Sequence, residues 1–106
     1  MSRINPYETV ARLWKEHMRA DFPDRLRGAE SAGIDMVMLD ADTAGCVSTW
    51  QNNGNRLDEN RRRTLRNCAA ELDKVLPMLI DTREAQYYER LRRMAVIVLE
   101  NSPDST

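Results

Sequence analysis

The stretch from residue 58 to residue 79 constrains the fold more than any other part of the chain. Leu65, Cys68, Ala69, Leu72, Val75, Leu76 and Leu79 recur at three- and four-residue steps, the spacing that lines one face of a helix. Asp58 stands where an N-cap is needed, and Glu59 suits the positive end of the helix dipole. Pro77 lies inside the apolar repeat and lacks a backbone donor, which predicts a kink or stop near Val75 with Met78 to Ile80 as a final turn. Asp81, Thr82, Arg83 and Glu84 form a second start signal. Tyr87, Tyr88, Leu91, Met94, Ala95, Val98 and Leu99 then carry a helix to Asn101-Ser102-Pro103. The connection between the two helices is a few residues at most, which makes an antiparallel hairpin their natural packing.

Upstream, Asn5, Pro6 and Glu8 open a first helix, predicted to run to about Asp21, where Phe22-Pro23 pushes the backbone out of the helical region. Its apolar stripe holds Tyr7, Val10, Ala11, Trp14, His17 and Met18, with Leu13 at the edge. Gly28 and Gly33 mark a connecting loop with one turn near Leu26. Ile34 to Leu39 is an apolar run that suits either an extended segment or a helix start. No second strand is evident to pair with it, and a lone strand leaves its backbone groups unsatisfied, so helix or irregular coil is favoured. Asp40 or Asp42 then caps a helix through Ala44, Val47 and Trp50, stopped at Asn52-Asn53-Gly54. The expectation is an all-α fold, a small bundle of about four helices with a C-terminal antiparallel hairpin. It forms one domain over residues 1–101, with a disordered tail at 102–106.

Composition narrows the function classes. The 106 residues are 42% hydrophobic and 31% charged, which suits a folding domain rather than a polar tail. A net charge of -1 gives no bulk attraction to nucleic acid or anionic lipid. Fourteen Arg against Lys15 and Lys74 is the bias that GC-rich coding leaves, and it points to a bacterial source. Cys46 and Cys68 fit no metal-binding spacing and read as core fillers. The longest apolar run, Met94 to Leu99, is too short to span a bilayer, so no membrane role and a cytoplasmic location are expected.

Several constellations could carry chemistry. Met36-Val37-Met38-Leu39-Asp40-Ala41-Asp42-Thr43, an apolar run followed by Asp-x-Asp, resembles the first motif of the haloacid dehalogenase superfamily. That resemblance would make Asp40 a nucleophile and Asp42 a general acid/base around magnesium. Such chemistry sits at the end of a strand in a parallel sheet, and the chain has no pattern for the crossovers that sheet requires. Asp40, Asp42 and Gly45 also match the first, third and sixth positions of a calcium loop, but Gln51 stands where the bidentate carboxylate belongs. No cofactor or metal is therefore expected, and helix capping is the favoured role of both acids.

Arg56, Arg61, Arg62, Arg63 and Arg66 form the one basic concentration. Arg61 falls in line with Leu65, Cys68 and Leu72 and is expected to pair with Asp40 or Asp42, whereas Arg63 and Arg66 point outward and Arg62 sits at the edge. His17, on an apolar stripe without a second His, reads as a packed, hydrogen-bonded residue. Tyr87 with Arg90, Arg92 and Arg93 could line a pocket for an anion. Met94 to Leu99 is apolar all round and must be covered on both sides, either by the first helix or by a partner, which makes Met94, Val96, Ile97 and Leu99 candidate interface residues.

The leading expectation is a non-enzymatic helical interaction or regulatory protein, a homodimer or the partner of another helical protein, packing through its last helix and the Trp14 and Trp50 faces. A second is a small-molecule or anion-binding domain, enzymatic or not, around Asp40, Asp42, Arg61 and Tyr87. A third, weaker one is nucleic-acid binding through Arg62, Arg63 and Arg66.

Overall fold

The computed structural model describes residues 5–102. The chain runs through α1 (Pro6–Arg19), a one-turn helix (Asp24–Leu26), a ribbon of β1 (Glu30–Ser31) and β2 (Ile34–Asp35), α2 (Met36–Asn52), α3 (Glu59–Val75), a second one-turn helix (Leu76–Met78) and α4 (Thr82–Glu100). It is an all-α bundle of four helices, with α3 and α4 forming the C-terminal hairpin. Residues 103–106, where most of the expected tail lies, fall outside the described residues, while the Ser102 hydroxyl donates to the Val98 carbonyl at 2.6 Å.

Three of the four helix starts are the ones the sequence marks. Asn5 accepts from the Tyr7 and Glu8 amides, Asp58 from the Arg61 amide, and Asp81 from those of Arg83 and Glu84. The fourth is a correction. Neither Asp40 nor Asp42 caps α2; Asp35 does, accepting from the Met38 amide at 3.0 Å, and both later acids sit within the helix.

This early start follows from the ribbon, which the sequence reading also missed. Glu30 pairs with Asp35 and Ser31 with Ile34 across a two-residue turn, Ala32-Gly33, whose φ angles of 53° and 76° are both left-handed. Two left-handed residues in succession match the twist of a tight hairpin, and the turn rather than any strand pattern closes the ribbon. Ile34–Leu39 is thus split, its first two residues extended and the stretch from Met36 helical.

The proline stop is where it was expected. α3 ends at Val75, but the turn that follows spans Leu76–Met78 rather than Met78–Ile80 and leaves Leu79 and Ile80 outside any helix. α1 ends at Arg19, two residues before Asp21, and its buried stripe is Val10, Leu13 and His17. Leu13 is the centre of that stripe rather than its edge. Tyr7 and Met18 lie on the exposed flank, Tyr7 stacking on Trp50 at 5.6 Å between ring centroids.

α4 is the central helix and packs against α1, α2 and α3. That accounts for its uninterrupted apolar run: Met94, Ala95 and Val98 are fully buried, and Val96, Ile97 and Leu99 are half-buried. Of the candidate interface set, Met94 is enclosed by the chain's own helices and offers nothing to a partner.

Candidate functional site

One polar cluster lies inside the bundle. α1 contributes His17, α2 contributes Asp40 and α4 contributes Tyr87. The Asp40 carboxylate lies 2.9 Å from His17 Nε2 through Oδ1 and accepts the Tyr87 hydroxyl at 2.7 Å through Oδ2. A carboxylate has no proton to give, so His17 carries its own on Nε2 and donates it, leaving Nδ1 buried without a partner.

Aromatic rings enclose the cluster: Tyr87 lies 4.8 Å from His17, meets Phe22 edge-on at 5.6 Å and lies 5.3 Å from Tyr88, all between centroids. The Tyr88 hydroxyl donates to the Met36 carbonyl at 2.7 Å and ties the start of α2 to α4. Burial, reinforced by the bond to Asp40 and its charge, pushes the Tyr87 phenol far above its ordinary range. Burial does the same for Tyr88, with the Asp40 charge second.

Asp40 and Tyr87 are therefore brought together as the second expectation grouped them, and His17 completes the set. Asp42 and Arg61 do not join. Asp42 is exposed, and Arg61, also exposed, pairs with Asp58 rather than with either acid of α2. The buried face of α3 runs through Arg62, Leu65, Cys68, Leu72 and Val75, which turns Arg61 outward to Asp58 and puts Arg62 in the buried place, with Glu59 at 3.3 Å. Glu59 also holds Arg66 at 3.3 Å, so of the three basic candidates Arg62 and Arg66 are bound to an acid of their own helix and Arg63 is exposed. A helix through Asp40, Asp42 and Gly45 also removes the loop that a calcium site needs and the strand end that the dehalogenase resemblance implies.

Both cysteines are buried. Burial raises the Cys46 thiol to about 11 and shifts Cys68 upward as well, so neither is a ready nucleophile near neutral pH. Among the described residues no group of three His, Cys, Asp or Glu side chains could hold a metal ion, and no helix is long and apolar enough to cross a membrane.

Two of the open cavities on the outer surface flank Gln86 and Arg90. A cleft of about 530 Å³ lies between residues 20–25 and the start of α4, with Phe22 and Tyr87 in its wall and the pair Arg25–Glu84 across it, bonded at 3.0 and 3.1 Å. A groove of about 740 Å³ lies between α1 and α4, lined by Leu13, Leu76, Ile80 and Ala85 with Arg90 and Arg93. Arg90 was legible only as a member of a Tyr-Arg run; its burial depends on α1 lying over it, which no local pattern reveals. Comparison with protein-family models, with curated proteins and with solved structures gives no match, so the reading of these surfaces rests on their own geometry.

Proposed function

We propose that this chain is a non-enzymatic helical interaction protein that works as a homodimer. The observation that carries the reading is Ile80, 95% exposed at the corner between α3 and α4, with Met78 56% exposed beside it. Residues 75–80 carry no charge. A two-fold interface sets a surface against its own copy, and an uncharged apolar corner does so without opposing like charges. The Ser31 hydroxyl lies 3.6 Å from the Met78 sulfur, which places the ribbon beside this corner; from the ribbon α2 departs with Val37 and Met38 exposed on its first turn.

The internal polar cluster supports the same reading. Both oxygens of Asp40 are occupied and the Tyr87 phenol is held protonated, an arrangement that fastens helices rather than attacks a substrate. The reading favours this corner over Val96, Ile97 and Leu99, which α4's neighbours half cover.

Light scattering at low and high micromolar concentration tests it. The mass should approach twice 12.3 kDa as concentration rises, and Ile80→Glu should return it to the monomer with helical circular dichroism unchanged. A wild-type chain that stays monomeric at high micromolar concentration overturns the proposal.

A further inference from the structure

Arg90 is a charged side chain in an unusual position. It is only 20% exposed, makes no hydrogen bond among the described residues, and keeps Nη1 buried without an acceptor. Its ion-pair contact is loose: Glu16 Oε1 lies 3.7 Å from Nε, beyond hydrogen-bond distance, because the other oxygen of Glu16 is held by Arg12 at 2.9 Å. A guanidinium cannot shed its proton, so the charge stays and the site is left short of an acceptor. The accessible part of Arg90 forms one wall of the groove between α1 and α4, and Arg93 stands one helical turn further along. Arg93 has no ion pair or hydrogen bond among the described side chains.

We propose that this groove binds a small amphipathic carboxylate, its head on Arg90 and Arg93 and its apolar body on Leu13, Leu76 and Ala85. A carboxylate meets the accessible edge of the Arg90 guanidinium together with the exposed planar fork of Arg93, and the apolar lining removes a short hydrocarbon from water. A phosphate dianion suits the groove less well, since Glu16 and Glu89 also line it and would repel a second negative charge. The inference does not rest on self-association and survives a monomeric result.

The test is a titration of the full chain with octanoate, followed by amide chemical shifts, with octanol and inorganic phosphate as comparators. Octanoate should saturate with shifts centred on residues 13, 76, 85 and 90, and octanol and phosphate should each bind at least about tenfold more weakly, the equivalent of roughly 1.4 kcal/mol. Arg90→Met should abolish the octanoate shifts without lowering the melting temperature, because it removes a buried charge that lacks a proper partner. Arg90→Lys, which keeps the charge but not the fork, should fold and bind with reduced affinity. Equal binding of octanoate and octanol, or octanoate binding by Arg90→Lys at wild-type affinity, overturns the proposal. So does a loss of stability in Arg90→Met, since that would make Arg90 a structural residue.

Discussion

Asp40 sits where three helices meet, and each of its oxygens holds one neighbour, His17 from α1 and Tyr87 from α4. Removing one partner of such a pair leaves the other with an unmet bonding need, which costs more than the pair contributes when intact. Asp40→Asn keeps the shape but offers one acceptor for two donors, and it should lower the unfolding free energy by about 1–3 kcal/mol. Tyr87→Phe should cost about 1 kcal/mol, because Asp40 retains some solvent access through its 17% exposure and water can replace the hydroxyl. Urea unfolding of both single variants and the double variant checks the bridge. The two losses should fall short of adding by about 0.5 kcal/mol or more, and strict additivity would mean that the groups are not coupled. The pairing of Asp40 with Asp42 in one expected site fails for a related reason: residues two apart on a helix are separated by roughly 200° around the axis, so only one of them faces inward.

The elements were legible to the degree that their signals were local. Asn5, Asp58 and Asp81 each stand just before a periodic apolar stretch, and each accepts backbone amides of the first turn of its helix. The start of α2 was not readable in that way, because Asp35, Asp40 and Asp42 fall within eight residues and all can cap. What selects Asp35 is the ribbon, whose turn depends on Ala32 and Gly33 with left-handed backbone and on pairing between just two residues a side. Asp35→Ala should therefore destabilise the chain by about 1 kcal/mol, the ordinary value of a lost cap, whereas Asp42→Ala on the exposed face should stay within about 0.5 kcal/mol of wild type. Thermal unfolding of the two variants side by side decides between the caps. Equal losses, or a larger loss for Asp42→Ala, would return the cap to the position first expected.

At the scale of the whole molecule, the central place of α4 explains why its apolar run from Met94 to Leu99 is covered within the chain and why Tyr87, expected in the wall of an anion pocket, is buried instead. Periodicity gives the buried face of a helix, but only the packing of α1, α2 and α3 around α4 brings His17 to Asp40 and Arg90 under Glu16. The same enclosure gives the fold an alkaline weakness. Cys46, Cys68, Tyr87 and Tyr88 are all held protonated above their ordinary ranges, chiefly by burial. In the unfolded chain the thiols ionise near pH 9 and the phenols near pH 10, while the folded chain retains these protons. The folded state then binds more protons than the unfolded one, so stability is intact below about pH 9 and falls as pH rises past it, each group contributing at most about 1.4 kcal/mol per pH unit. Urea unfolding from pH 8 to about pH 10.5 should show a decline that begins near pH 9 and steepens near pH 10 as the phenols of the unfolded chain join. Tyr87→Phe removes one of those protons and should flatten the upper part of the curve without moving its onset, which belongs to the thiols. A stability that is level across this range would mean that the thiols and phenols ionise as freely in the fold as in the open chain, and would contradict their burial in the core.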